Sequence, residues 1–143
     1  MKRLLAIFII VLLLAICLTA CSSDDADILE IGERFFVTQI NQIFLDPEAY
    51  LGRMVRYEGM FFRAHLEGED FYVVIRYTFG CCGNDGMIGF EVVLNGTEPF
   101  PDDTWVEVTG VLEEYETQGQ AFLVVNATTV TQMPERGQEI VLS

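Results

Sequence analysis

Residues 54–62, MVRYEGMFF, and residues 105–113, WVEVTGVLE, decide the fold of this chain. Both stretches alternate apolar and polar residues around a central glycine, which is Gly59 in the first and Gly110 in the second. Alternation with a period of two predicts a β-strand, and a glycine inside a strand is typical of a bulge or a sharp bend. We therefore predict two long strands that curl the sheet toward closure.

Outward from these two strands, the sequence predicts three more. They are rich in β-branched and aromatic residues and are separated by turn residues, and they cover residues 71–79, 87–94 and 121–130. Residues 35–43, FFVTQINQI, alternate from Val37 onward, and we predict an additional N-terminal strand there. Residues 46–52, DPEAYLG, predict one helical turn, because Asp46 suits the N-cap, Pro47 the first helical position and Gly52 the exit.

This pattern predicts a mainly β chain with a single small domain. The 143 residues suffice for one domain, and strand-rich chains of this size form barrels or sandwiches. Five main strands, two of them bent at glycine, favour an OB-like five-stranded barrel with one short helix over an immunoglobulin-like sandwich. We expect the aromatic residues of these strands to pack in the core rather than to form a platform for stacked bases.

The first 21 residues, MKRLLAIFIIVLLLAICLTAC, have the composition of a secretory signal. Lys2 and Arg3 precede the uncharged apolar run 4–18, which is shorter than the roughly 20 residues of a spanning helix. Residues 18–21, LTAC, resemble the lipobox of bacterial lipoproteins, in which the cysteine receives diacylglycerol. The resemblance implies cleavage before Cys21 and an acylated N-terminus; an uncleaved N-terminal membrane helix is the alternative.

The chain is accordingly divided into four segments. They are a lipoprotein signal peptide (1–20), an acylated tether (21–34), an OB-like β-barrel domain (35–133) and a polar tail (134–143). The lipid on Cys21 implies a position in the cell envelope, on the extracytoplasmic side of a bacterial membrane.

The chain is strongly acidic, with 22 Asp and Glu against eight Lys and Arg and a formal charge of −14. Affinity for nucleic acid depends on Lys and Arg that neutralise phosphates, so we expect no nucleic acid among the partners. An acidic surface is typical of a solvated extracytoplasmic domain or of a domain with a cationic partner. Composition alone leaves both interpretations open.

The thiols of Cys81 and Cys82 lie side by side in the glycine-flanked loop 80–86, GCCGNDG. Thiolates bind soft metal ions, so we predict a metal site at Cys81, Cys82 and Asp85, with zinc or copper as candidate cofactors and His65 as an additional ligand. A strained disulfide between the adjacent cysteines, suited to redox chemistry, is an alternative. A disulfide to another protein and a purely structural pair are also open, and no catalytic residue is predicted.

Two stretches resemble the C-terminal domain of the YcgQ-like proteins. They are residues 76–94, RYTFGCCGNDGMIGFEVVL, and residues 102–114, DDTWVEVTGVLEE. The YcgQ-like proteins are envelope proteins that accompany predicted permeases of the YraQ type. The resemblance spans roughly residues 35–133 and implies an OB-type domain in the cell envelope with a permease among its partners.

Together these observations predict an envelope-anchored lipoprotein with a non-catalytic OB-like binding domain. Its partners would be the membrane, through the lipid anchor, and an envelope permease or another protein. A soft metal ion or the transporter would bind at the loop of Cys81 and Cys82. The alternatives are a thiol-redox protein that uses the same cysteine pair and a purely structural interaction module.

Overall fold

The computed structural model describes residues 28–66, 68–79 and 85–142. Within them one sheet contains seven strands, namely β1 (Leu29–Glu30), β2 (Met54–Leu66), β3 (Glu69–Phe79), β4 (Asp85–Val93), β5 (Thr104–Thr117), β6 (Gln120–Gln132) and β7 (Ile140–Val141). Helix α1 covers Phe36–Leu45, between 3₁₀ turns at Glu33–Phe35 and Pro47–Ala49. No helix in the described part of the chain has the length and apolar character needed to cross a membrane.

Five of these strands close into a barrel. Their order is β2, β5, β6, β4 and β3, and a ladder between β2 and β3 completes the circle. The β4–β6 pair is parallel, whereas the other four barrel ladders are antiparallel. A five-stranded barrel with this connectivity and one short helix is an OB-like fold, so the predicted fold class is confirmed.

The central glycines of the two long strands lie at the places where the pairing of these strands changes. The β5–β6 ladder shifts register between Thr109 and Gly110, and a Cβ on Gly110 would lie 2.4 Å from the carbonyl oxygen of Asn126. At Gly59 the β2–β5 ladder is continuous, but β2 begins to pair with β3 one residue later. The predicted bulge or bend is therefore present as a bulge at Gly110, whereas next to Gly59 β2 begins to pair with β3 while it still pairs with β5.

The predicted N-terminal strand at residues 35–43 is wrong, because this segment lies within helix α1 apart from its first residue. Its aromatic and β-branched residues favour a strand locally. Its buried side chains, however, recur at helical spacing, and Phe36, Val37, Ile40 and Ile43 all face the barrel core. Burial of this face against the barrel outweighs the local propensity. The predicted helical turn after it is present as the 3₁₀ turn Pro47–Ala49.

The fold extends beyond the predicted domain limits at both ends. Strand β1 lies in the predicted tether and pairs in parallel with β2, and Ile31 behind it is buried. Strand β7 lies in the predicted polar tail, where Val141 is buried and pairs with Thr78 of β3. These short strands fill the part of the sheet in which β2 and β3 have separated, so tether and tail both contribute to the core.

Arg76 fills the space where β2 and β3 separate and is 2% exposed. Its guanidinium lies 4.5 Å from the ring centre of Phe36 and 4.9 Å from that of Trp105. It donates hydrogen bonds to the carbonyl oxygen of Glu58 at 2.8 Å and to Glu33 Oε1 at 3.3 Å. Burial lowers the pKa of Arg76 below its ordinary value, while the charges of Glu33 and Glu58 oppose this shift.

Candidate ligand-binding groove

A groove of about 740 Å³ lies between the β5–β6 hairpin, the start of β3 and the end of β4. Its volume is in the range of sites that hold small molecules or side chains of a partner. OB folds bind their ligands on the face of the second and third barrel strands, between the first and fourth loops. In this barrel β3 and β4 are those strands and the β5–β6 turn is that fourth loop, so the groove lies at the customary binding position of the fold.

The β5–β6 hairpin forms one wall of the groove. Its tip is a two-residue turn in which Gln118 and Gly119 have positive φ angles of 51° and 76°, as a tight hairpin requires. Tyr115 and Phe122 are directly opposite each other in the ladder, and their rings stack with centres 5.6 Å apart. Stacked aromatic pairs stabilise two-stranded hairpins, so this wall presents a firm apolar surface to the groove.

A hydrogen bond joins this hairpin to the floor of the groove. The hydroxyl of Tyr115 donates to Glu91 Oε2 of β4 at 2.7 Å. This bond raises the pKa of Tyr115 to about 12, and burial and the charge of Glu91 act in the same direction. The hydroxyl therefore stays protonated at neutral pH and continues to hold the hairpin against β4.

The opposite wall consists of the first residues of β3. The ring of Tyr72 stacks on the buried ring of Phe61 with centres 5.5 Å apart, and the guanidinium of Arg63 lies 5.7 Å from the centre of the Tyr72 ring. Asp70 Oδ1 lies 2.7 Å from His65 Nδ1, and its other oxygen lies 3.9 Å from Arg63. Part of the negative charge of Asp70 is therefore balanced from β2, at the rim of the groove.

The groove is acidic and aromatic. Its carboxylates are Glu69, Asp70 and Glu91, and none of the described residues that line it is Lys, Arg or His. Carboxylates form strong hydrogen bonds with ammonium and guanidinium groups, and aromatic faces attract the same cations. This combination is suited to a cationic ligand.

Of the sequence-predicted site residues, the structure describes His65 and the backbone of Asp85, and His65 is not among the described residues that line the groove. Cys21, Cys81 and Cys82 lie outside the described residues, and the backbone of Asp85 pairs with Phe79 at the far end of β3. His65 pairs with Asp70 at the near end of β3, nine residues from Phe79. At about 3.3 Å per residue this separation is roughly 30 Å, so the structure does not bring His65 and Asp85 together.

Among the described residues no three His, Cys, Asp or Glu side chains are grouped in a way that could hold a metal ion. The sequence pattern does not predict the groove, because it places the end of the fourth barrel strand at Glu113, before the aromatic part of the hairpin. Tyr115 and Phe122 are placed symmetrically around the turn at Gln118 and Gly119, and this spacing is the sequence signal that indicates a longer hairpin with an aromatic pair.

The sequence model of one family, the DUF1980 C-terminal domain, matches residues 19–141. The chain belongs to the DUF1980 C-terminal domain family. No curated protein matches this DUF1980 C-terminal domain.

Two solved structures resemble the DUF1980 C-terminal domain in fold. The N-terminal domain of PriB protein from Thermoanaerobacter tencongensis is 21% identical, with a TM-score of 0.34, and the match covers 57% of this chain and 97% of that one. A small single-stranded DNA-binding protein from Streptomyces coelicolor is 16% identical, with a TM-score of 0.36, and the match covers 58% of this chain and 94% of that one.

These two structures correct the predicted list of partners. The acidic net charge predicts that nucleic acid is not among the partners of this chain. However, one structure that resembles the chain in fold is that of a single-stranded DNA-binding protein. Net charge is a sum over the whole molecule and does not fix the charge of one binding face. It is therefore not a reason to exclude a nucleic-acid partner. The predicted membrane and permease partners receive no support from the two structures.

Proposed function

We propose that this DUF1980 C-terminal domain is a non-catalytic binding domain whose groove holds lysine or arginine side chains of a partner protein. The observation that carries the proposal is the groove itself, in which three carboxylates and an aromatic pair converge without a cation among the described lining residues. It lies where OB folds bind their ligands. A cation there would contact Glu91 and Glu69 and rest against the ring of Phe122.

The contacts available to one side chain are weak. A partly exposed ion pair contributes up to about 1 kcal/mol, and a cation over an aromatic ring contributes about 0.5–2 kcal/mol. A free energy of a few kcal/mol corresponds to millimolar binding. We therefore expect the partner to place several cationic residues of one extended segment along the groove.

The test is a calorimetric titration of the full chain in detergent with a short oligoarginine peptide. Glu91→Gln and Phe122→Ala are each expected to weaken binding several-fold, because they remove a charge and a ring from the groove. Glu48→Gln removes an exposed carboxylate from the 3₁₀ turn after α1 and serves as the matched control. Equal affinities for all variants, or binding of a single-stranded oligonucleotide in place of the peptide, would overturn the proposal.

The proposal includes a location for the domain. The lipobox-like segment 18–21 supports acylation of Cys21, which would hold the domain in the cell envelope on the extracytoplasmic side of the membrane.

For Cys81 and Cys82 the proposal rests on thiol chemistry alone. The pair would bind a soft metal ion, and oxidation to a disulfide is the alternative. Native mass spectrometry of the full chain separates the two, because only the first retains a metal that a Cys81→Ser/Cys82→Ser variant loses. A chain without metal or disulfide would reject both.

A further inference from the structure

A patch of exposed apolar side chains lies on β3, β4 and β7 and shares no residue with the groove. We call it the apolar patch. Its members are exposed by 36–72%, and they are Tyr77, Phe79, Met87, Ile140 and Leu142. Single exposed apolar residues are common on protein surfaces, but a contiguous set marks an interaction site.

The strand pairings place these residues on one face. Tyr77 is directly opposite Met87 of β4 on one side and Ile140 of β7 on the other, so the three side chains form a row across the sheet. Phe79 lies two residues beyond Tyr77 in β3 and therefore points to the same face, and Leu142 follows directly after β7. The patch is continuous across three neighbouring strands.

The charge distribution indicates what covers the patch. The chain carries a formal charge of −14, so two copies repel each other wherever their carboxylates face. The five patch residues are uncharged, and Glu139 beside Ile140 is paired with Arg136 at 2.6 Å. The five side chains themselves therefore oppose no carboxylate in a two-fold contact, and Asp85, the ladder partner of Phe79, lies at the border of the patch.

The available area agrees with a self-association surface. With about 200 Å² for each large side chain, the exposed fractions of the five residues correspond to roughly 500 Å² of apolar surface per copy. A standard interface buries about 800 Å² per partner, of which the apolar part is a little more than half. The patch is thus large enough to form the centre of such an interface.

We propose that two copies of this chain associate face to face through the apolar patch in a two-fold dimer. This arrangement uses the same surface on both copies, as two-fold symmetry requires.

The test places a photoreactive benzophenone side chain at position 87 of the full chain and irradiates the producing cells. We expect a cross-linked product of twice the chain mass, identified by mass spectrometry as two copies of this chain. Adding Phe79→Glu is expected to reduce this product several-fold, because it places a carboxylate in the patch of each copy. Phe35→Glu is the matched control, since Phe35 is 57% and Phe79 58% exposed, and it should leave the product unchanged.

Three results would overturn the proposal. They are the absence of a same-chain product, a product that contains a different protein, and an equal yield in the Phe79→Glu variant. Because Phe79 is exposed, the glutamate should not unfold the chain, and an unchanged unfolding midpoint of Phe79→Glu verifies this.

Discussion

Arg76 connects three parts of the chain that are distant in sequence. It is nearly inaccessible to water, and its guanidinium reaches Glu33 before α1, the carbonyl oxygen of Glu58 in β2 and that of Gln138 before β7. A buried cation is tolerated only when its donors are used and opposite charge is near, and both conditions are met here. The residue thereby holds both terminal segments against the barrel.

We expect Arg76→Ala to lower the free energy of unfolding by about 3 kcal/mol, because it removes two cation–aromatic contacts and leaves a buried carbonyl oxygen without its donor. Glu33→Gln should cost less than about 1 kcal/mol, since Glu33 is half exposed and the amide oxygen can still accept. Denaturant unfolding followed by the fluorescence of Trp105, the single tryptophan, measures both. An Arg76→Ala variant as stable as the parent protein would contradict this role.

The β5–β6 hairpin is the element that links the fold to the candidate function. Its inner half contributes buried residues such as Val108 and Val125 to the core, whereas its outer half carries Tyr115 and Phe122 to the groove. The register shift at Gly110 lies within the buried part of the hairpin, since Leu112 and Val125 on the tip side of it are also buried. A bulge bends and twists its strand, so this one contributes to the course of the hairpin toward the groove.

We expect Gly110→Ala to destabilise the domain by about 1–3 kcal/mol, because the new Cβ would lie 2.4 Å from the carbonyl oxygen of Asn126 and 2.7 Å from the Cα of Ala127. Both are backbone atoms, so the clash cannot be relieved by rotation of a side chain. Gly32→Ala is the control, because nothing lies within 4 Å of its Cβ position, and it should change the stability by less than about 1 kcal/mol. Thermal unfolding of the two variants decides the question, and equal midpoints would contradict a constrained bulge.

At the scale of the whole molecule, our proposals describe a binding domain that is attached to the membrane. The barrel carries the groove, and the N-terminal segment carries the lipid. The acidic groove and the apolar patch share no residue, so ligand binding and self-association do not compete for the same residues. A lipid on Cys21 would confine such dimers to the membrane surface, where linked sites gain effective concentration for a partner with several cationic segments.

We expect the chain produced in a bacterium with labelled fatty acid to carry the label and to fractionate with membranes. Cys21→Ser should abolish labelling, because the acylated thiol is gone. Cys17→Ser is the matched control, since this cysteine belongs to the predicted signal peptide that is removed. Label that persists in Cys21→Ser, or that is lost in Cys17→Ser, would contradict the predicted attachment site.

The OB-like barrel can be predicted from the sequence alone, because the alternation of apolar and polar residues and the central glycines are local signals of curved strands. All five barrel strands follow from such signals. The helix at residues 36–45 cannot be predicted in this way, because its helical face is stabilised by the barrel core that it covers rather than by local propensity.

The groove could likewise not be predicted, since its walls come from residues 69–72, 91–94 and 115–122, which are brought together only by closure of the barrel. The same holds for Arg76, whose partners lie up to 62 positions away in the chain. Local patterns fix the type and curvature of each strand. Which side chains meet across the closed sheet depends on the register and pairing of all the strands at once.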